Sequence, residues 1–567
     1  MRTYSDLERR LLQRWLQKQE YNEDLQLLRV PFSSPGYHTT LKDVPFVHPT
    51  RESLGYAVAL LDGGGEAELE RACAILDRVI ALQETDRSLP TYGIWSWFYE
   101  EPLGDMRPSD WNWADFCGKQ LLLAVRKHED RLPEALKERL REAVFRACEA
   151  IIARNVGPGY TNIAIMGAFV TLIAGETYGQ EAFVVYGRQR LHAFYEYTMR
   201  LGAFEEYNSP TYTKVALVEL SDLYAWAQSP EIKTLAAKLL RLAWGAVANH
   251  FHPATCQWGG PHARSYDTTL SASVRSFLQI ALQGRVEWLT EEELAYDPQW
   301  YGSPIGCPDE VVPLFTEPSV RTHAQAFYRN GEKGIEKTAS FYQTETLCIG
   351  SVSRENMWNQ RRNLLAYLSG DHGTSYVWLR CLHDGYDYAA AVFTSVQQEN
   401  RVLFGIGFST NGGDTHNSLD RIRGSIEARD LRLRFEIGGG EVKANVEQDL
   451  QGELYVTVGR HVLSIRPVFA SLGETSARWE WSRAGDRLYV DCVFYSGANR
   501  TIDFESLSQA GALAICTFAE ERVSCSYKLT LKDQAAFVEC PAPFRGGPLR
   551  LSMRLKPSLM DTMLSVL

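Results

Sequence analysis

Four stretches of the chain gather the residue types that act on sugars: "TYGIWSWFYEEPLGDMRPSDWNWADF" (91–116), "NVGPGYTNIAIMGAF" (155–169), "GAFEEYNSPTYTKVAL" (202–217) and "CQWGGPHARSYDT" (256–268). Sugar rings present apolar C–H faces rimmed by hydroxyls, so aromatics interleaved with Asn, Arg and carboxylates suit a saccharide cleft. The first stretch alone holds Trp95, Trp97, Trp111 and Trp113. Glu100, Glu101, Asp115, Glu205, Glu206 and Asp267 could supply the two carboxylates that flank a glycosidic bond in a hydrolase. Asn162, Asn208, Tyr212, His262 and Arg264 form a second set of amide, phenol, imidazole and guanidinium groups that a hydrolase does not require.

The segment "EYNSPTY" (206–212) breaks two leucine-rich stretches. Read as structure alone, Ser209 caps a helix and Pro210 takes its first position, while Asn162 is an N-cap in its own right. Each tryptophan taken singly is a candidate core residue at a helix end.

From about residue 50 to 295 apolar residues recur at intervals of three and four, as in Leu136, Leu140, Val144, Cys148 and Ile152. The density of such segments predicts stacked helical hairpins over residues 1–300. The charged N-terminal stretch predicts an amphipathic helix. Residues 296–319 carry five prolines, which forbids a helix interior or central strand and marks a linker over 301–325. Beyond it, "LRLRFEIGG" (431–439), "ELYVTVGRHVLSIRPVF" (453–469) and "DRLYVDCVFYSG" (486–497) alternate with period two. This predicts an antiparallel β-sandwich over 326–567, and an α+β multidomain chain overall.

With 567 residues the chain exceeds one ordinary core. A net charge of −11, dispersed in sign, gives no basic stripe and so no nucleic-acid partner. The 11 cysteines form no CxxC pair, which argues against a disulfide framework or thiolate zinc site. Neither a signal-type apolar region nor a run long enough to cross a bilayer is present, so a cytoplasmic protein without membrane association is expected. Oligomeric state is not written in the sequence.

The order of parts, a helical half followed by a sandwich, resembles the (α/α) toroid polysaccharide lyases of the heparinase II/III-like and chondroitin-lyase-like superfamily. The resemblance implies an Asn opening one inner helix and a catalytic Tyr in a later Glu-x-Ser-Pro-x-Tyr loop; Asn162 and Tyr212, 50 residues apart, stand at those places. Where several relatives have His after that Asn, this chain has Ile163, and His262, Arg264 and Tyr266 are the candidates for the vacant role. Such a lyase removes the C5 proton of a uronic acid and expels the C4 substituent. Asn162 and Arg264, supported by Asn208 or His262, would neutralise the sugar carboxylate. Tyr212 would move the proton, alone in a syn elimination or with His262 as base in an anti elimination. Trp95, Trp111, Trp113, Glu206, Tyr207 and Tyr266 would line the substrate.

The β half would add Trp358, Arg361 and His416 as sugar contacts. Some members of the superfamily carry a structural zinc in the sheet, for which His372 with Asp371 or His416 would be available. No HxH or HExxH spacing accompanies them, so no metal or other cofactor is expected. The expected partner is an acidic oligo- or polysaccharide. The rival readings are a glycoside hydrolase on the same toroid and a non-catalytic carbohydrate-binding protein.

Overall fold

The computed structural model describes residues 5–34, 37–301, 305–371, 373–440, 444–541 and 547–567. It divides into two compact units, Met1–Arg200 with Tyr212–Trp244 and Ser271–Asp309, and Leu201–Thr211 with Gly245–Leu270 and Glu310–Leu567.

The first unit is helical: α1 (Asp6–Leu16), α2 (Thr50–Gly63), α3 (Glu66–Ala81), α4 (Asn112–His128), α5 (Glu134–Arg154), α6 (Thr161–Tyr178), α7 (Glu181–Leu201), α8 (Tyr212–Trp226), α9 (Pro230–His250) and α10 (Ala272–Ala281). Ser5 and Glu8 form a reciprocal capping box that starts α1. Asn155 and Gly179 end α5 and α6 in the left-handed conformation, each returning its N–H to a carbonyl of the last turn.

Contacts between helices fix their directions. The Trp113 indole donates to Thr50 Oγ1 at 3.1 Å, while Lys127 and His128 reach Asp62 at 3.1 and 2.9 Å, so α2 and α4 run parallel. Between α4 and α6, a Cβ at Gly118 would meet Val170 and one at Gly167 would meet Asp115, again a parallel register. Lys119 pairs with Glu219, and Arg126 lies over Trp226, so α8 is parallel to α4. Position 167 faces Arg190, 172 faces 187 and 175 faces 184, making α7 the antiparallel return of α6. Inner helices α2, α4, α6 and α8 thus run in one direction, as an (α/α) toroid requires. Inner α6 is buried from Thr161 to Gly175 without a polar face, which is why its sequence shows little amphipathicity.

The second unit is a β-sandwich. One sheet orders its main strands Arg478–Ala484, Arg487–Asp503, Ser425–Gly438, Gly373–His383, Leu364–Gly370, Leu347–Val352, Ile335–Gln343 and Arg321–Asn330. The other centres on His461–Leu472, Ala510–Ala519, Arg401–Phe408 and Ala391–Gln398. Alternate residues such as Val377, Leu379 and Cys381 point inward to meet Phe393, Val402 and Phe404, as period-two strands must. A small sheet, Lys528–Lys532, Ala535–Cys540 and Leu549–Arg554, covers Leu403, Leu513 and Ile515 on the outer side.

The three strand segments expected from alternation all lie in strands. The boundary differs from the expected linker over 301–325: the first unit ends at Asp309 and a strand already starts at Arg321. Moreover, residues 201–211 and 245–270, expected in the helical domain, belong to the second unit. Their backbone supplies the reason. His262 and Arg362 exchange N–H···O bonds of 3.1 and 3.0 Å, Ser265 N–H donates to Gln360 O at 2.7 Å, and the Tyr367 hydroxyl donates to Thr268 O at 2.5 Å. His372, one of the conceivable metal ligands, lies outside the described residues.

Packing at glycines gives a direct test. A Cβ at Gly350 would sit 1.9 Å from the Gly260 carbonyl oxygen, whereas one at Gly55 in α2 would meet nothing within 4 Å. Gly350→Ala should cost about 1–3 kcal/mol by overpacking, and Gly55→Ala should be neutral or stabilising by up to about 1 kcal/mol. Thermal and denaturant unfolding of the two variants checks both signs.

Candidate functional site

Parallel inner helices place all their N-terminal turns at one end of the helical unit, where unpaired N–H groups and the positive dipole end favour anions. Asn162 is the second residue of α6 and buried; Tyr212 is the first residue of α8 and half-buried. Asn162 is therefore inside the first turn rather than at the cap, which Tyr160 occupies. Helix α8 begins at Tyr212, not at Pro210, and the Ser209 hydroxyl donates to the Arg264 carbonyl at 2.6 Å.

Behind Asn162, the buried Arg190 donates from Nε to Ala164 O at 3.0 Å and from Nη2 to Ile163 O at 2.9 Å. Its third nitrogen donates to the Tyr186 hydroxyl at 2.7 Å. The guanidinium so ties α7 to the first turn of α6. Asp115 lies beside it, both crowding the space that a side chain at Gly167 would fill. Burial pushes the Asp115 carboxyl up to about 7, against the pull of Arg190 and Arg154.

The aromatic loop of the first unit lies at the α2 and α4 N-termini. Trp97 stacks on Trp113 at 5.0 Å and 27°, and Arg51 sits 4.9 Å above Trp113. His38 approaches Trp97 at 5.1 Å, and the Trp97 indole donates to Asp110 at 3.2 Å. Trp111, partly exposed, donates to Pro90 O at 3.0 Å. Asn112 bridges the Tyr160 hydroxyl and Arg154 at 3.2 and 2.6 Å. Trp97, Arg51, His38 and Arg190 were not singled out as site residues from the sequence. Trp97 stood in the quoted cluster, whereas nothing local in the sequence marks Arg190.

Two tryptophans must be reassigned: Trp113 is buried against Trp97 and Arg51, with its indole donating to Thr50. Trp95 is fully buried and its indole donates to Val79 O at 2.8 Å, so it is core rather than sugar platform. Two carboxylates of the hydrolase pool are also engaged. Glu100 accepts from the His48 backbone at 3.0 Å and contacts its Nδ1 at 2.5 Å, and buried Glu101 accepts from Thr40 N–H at 2.6 Å.

The second unit brings together Glu206, Arg264, Trp358, Gln360, Arg361 and His416 from four chain segments. Arg264 pairs with Glu206 at 3.2 Å, donates to Gln360 Oε1 at 2.9 Å and lies 4.8 Å above the Trp358 ring. Arg361 pairs with Glu355 and flanks the same ring at 5.9 Å, and His416 meets it edge-on at 4.9 Å. Tyr266 is half exposed.

Three expected site residues of this unit instead hold the loops. Asn208, in the left-handed region at φ 49°, donates its amide to Gly259 O at 2.8 Å and Pro261 O at 2.9 Å and accepts from the Trp258 indole at 2.5 Å. Tyr207 is buried, stacked 5.0 Å from Phe327 with its hydroxyl 3.0 Å from His250. His262 is buried with Nδ1 2.6 Å from Asn208 O, and burial pushes its pKa down to about 3. A ring that stays neutral and donates to a backbone carbonyl is a structural element, not a poised base. Among the described residues no group of three or more His, Cys, Asp or Glu forms a metal site, and no helix is long and apolar enough to cross a membrane.

A family model described as a domain of unknown function, DUF8769, matches residues 21–296. Among curated proteins none matches the chain. Of solved structures, heparinase III is similar at 13% identity and a TM-score of 0.46, over 98% of this chain and 92% of that one. The heparan sulfate lyase HepC from Pedobacter heparinus is similar at 9% identity and a TM-score of 0.31, over 98% and 90% of the two chains. These likenesses are too remote to carry an activity across.

Two outcomes follow from the geometry. Trp95→Ala should cost about 3–5 kcal/mol of stability, while Trp111→Ala should leave the unfolding midpoint nearly unchanged. Asp115, whose folded pKa is raised, binds its proton more tightly folded than unfolded, so its contribution to stability falls as pH rises from about 4 to 7. Asp115→Asn removes that loss, and its melting temperature relative to the parent should climb between pH 4 and pH 8. A flat difference would contradict a buried carboxylate whose desolvation outweighs the pull of Arg190 and Arg154.

Proposed function

We propose that the protein is a polysaccharide lyase that cleaves uronic-acid glycans by β-elimination. The observation that carries the reading is the shared end of α6 and α8, where the amide of Asn162 and the phenol of Tyr212 open two adjacent, parallel helices. Abstraction of the C5 proton next to a charged carboxylate is unfavourable until that charge is neutralised. The Asn162 amide and the helix N-termini supply preorganised donors for the carboxylate and the enolate that develops from it. Arg190, holding the carbonyls of residues 163 and 164, fixes the turn that carries Asn162 and adds positive potential behind it.

Tyr212, as phenolate, takes the C5 proton and so becomes the phenol that protonates the C4 oxygen as the C4–O bond breaks and the C4–C5 double bond forms, a syn course in which one group acts on one face of the ring. The engaged state of His262 favours this course over one with an imidazole base from that loop. Trp97 and Trp111 offer aromatic faces to neighbouring sugars. Arg264, paired with Glu206 and stacked on Trp358, is a cation for a sugar acid within the second unit. The identity of the uronate, the linkage and the pattern of sulfation are set by contacts that a substrate panel must define.

Incubation with a panel of uronic-acid polysaccharides distinguishes the three functions. A lyase yields both new reducing ends and the ultraviolet absorbance of a 4,5-unsaturated uronate. A hydrolase yields reducing ends alone, and a binding protein neither. Tyr212→Phe, with an unchanged unfolding midpoint, should lower kcat about 10²–10⁴-fold, the usual worth of a positioned acid–base group. Full turnover in that variant would overturn the assignment of Tyr212.

A further inference from the structure

We infer that the outer face of the helical unit carries a second binding site, a cationic groove between α7, α8 and α9 that holds an anionic glycan chain. The groove has a volume of about 710 Å³. One stripe of α9 forms its length: Thr234 and Ala237 make a low floor, and Lys233, Lys238 and Arg241 rise beside it. Met199 of α7 and Tyr224 of α8 complete the lining. The opposite face of α9, with Ile232, Ala236, Leu239 and Ala243, is buried in the core, so the cationic stripe is fixed on a rigid helix.

Charge and shape point to the ligand class. Among the described residues no carboxylate lines the groove. The nearest acid along α9, Glu231, pairs with His192 at 3.2 Å. Among the described residues neither Lys233 nor Lys238 forms an ion pair; Lys238 lies 5.5 Å above the Tyr195 ring. On a chain of net charge −11, an acid-free groove with three cations is a local reversal of sign. Met199 and Tyr224 are 44% and 42% exposed, large apolar surfaces beside the cations. A sugar acid presents both complements, a C–H face for the aromatic and a carboxylate or sulfate for the lysines.

Direction links the groove to the first site. The stripe from Pro230 to Leu242 spans roughly 18 Å at 1.5 Å per residue, room for several sugar units. Helix α7 returns antiparallel to α6, and α9 runs alongside α7, with Glu231 near His192 and Lys238 near Tyr195. The groove therefore leads toward the same end of the unit at which Asn162 and Tyr212 lie. It can hold a chain whose next sugars extend toward that end. The choice of an anionic glycan rests on the proposed function; the groove and its charge do not.

The test is a binding experiment independent of turnover. Heparan sulfate chains, hyaluronan, neutral dextran and single-stranded DNA are titrated against the full-length protein, the groove variant K233E/K238E and a control, K528E/K532E, which reverses two exposed lysines of the second unit. Expected is a loss of roughly tenfold or more in affinity for the acidic polysaccharides in the groove variant only, steepening at low salt, with dextran unbound. Equal losses in both variants, or none in either, overturn the site. DNA held as tightly as the glycans, and lost with them, overturns the ligand class. Turnover by the parent, assayed beside binding, separates the two ideas: groove-dependent binding without turnover of any glycan by the parent would remove the lyase and leave the groove. Turnover by the parent with undiminished binding in K233E/K238E would do the reverse.

Discussion

Four helices laid side by side in one direction are an electrostatically awkward arrangement, because their dipoles repel laterally and their positive ends gather in one place. The helical unit meets this constraint in two ways. Packing is dense, with α6 enclosed along most of its length and a Cβ at Gly187 excluded by the Leu172 backbone at 2.7 Å. Charge inside the layer is also balanced: Lys119, fully buried, bonds Glu219 and lies 3.6 Å from Asp222. Burial lifts Glu219 to about 7 and raises Asp222 as well, against the pull of Lys119. The end where the helices begin carries Glu52 and Asp115 in the first turns of α2 and α4, and it is the end at which the amide, the phenol and the aromatic loop stand.

How far the sequence foretold this depends on the range of the forces involved. Apolar periodicity is a local property, so the helix at Glu134–Arg154 and the strands at 425–438, 454–472 and 487–503 could be located from it. The order helices-then-sheet followed from the change of period. The allegiance of residues 245–270 did not, because it is decided by hydrogen bonds to residues around 360, some hundred positions away, and residues 201–211 follow through bonds to residues 259–264. Helix α7 buries a stripe of Gly187, Arg190, Leu191, Phe194 and Thr198, in which a glycine, an arginine and a threonine stand where apolar periodicity expects hydrophobic residues; it was not singled out, and with it Arg190 was missed.

The candidate site shows the same division. Residue type picked out loops that do hold exposed or half-buried aromatics, yet type does not distinguish Trp95 from Trp111. Burial separates them, and burial is a sum over partners distant in sequence. Likewise an Asn, a Tyr and a His in two polar loops read as a constellation, but Asn208, Tyr207 and His262 are drawn inward by backbone carbonyls and a ring that no local pattern reveals. A loop that carries functional groups needs polar residues to fix its own backbone, and these are of the same types.

The cation of the second unit depends on such fixing. Arg362, almost wholly buried, lies 4.0 Å over Trp378, whose ring also holds Arg380 at 4.4 Å. Desolvation lowers the Arg362 pKa to about 10, which leaves it charged at neutral pH. It spends its donors on the carbonyls of Asn359, Arg361 and Tyr266 at 2.7, 3.1 and 3.3 Å. Those carbonyls belong to the two segments that carry Arg264 on one side and Trp358 and Gln360 on the other. One buried guanidinium thus sets the distance between the parts of the surface cluster, and the Arg264 guanidinium is held over its indole by backbone rather than by its own flexible chain. One buried cation kept for geometry brings the segment with "RR" at 361–362 against the loop that carries Arg264.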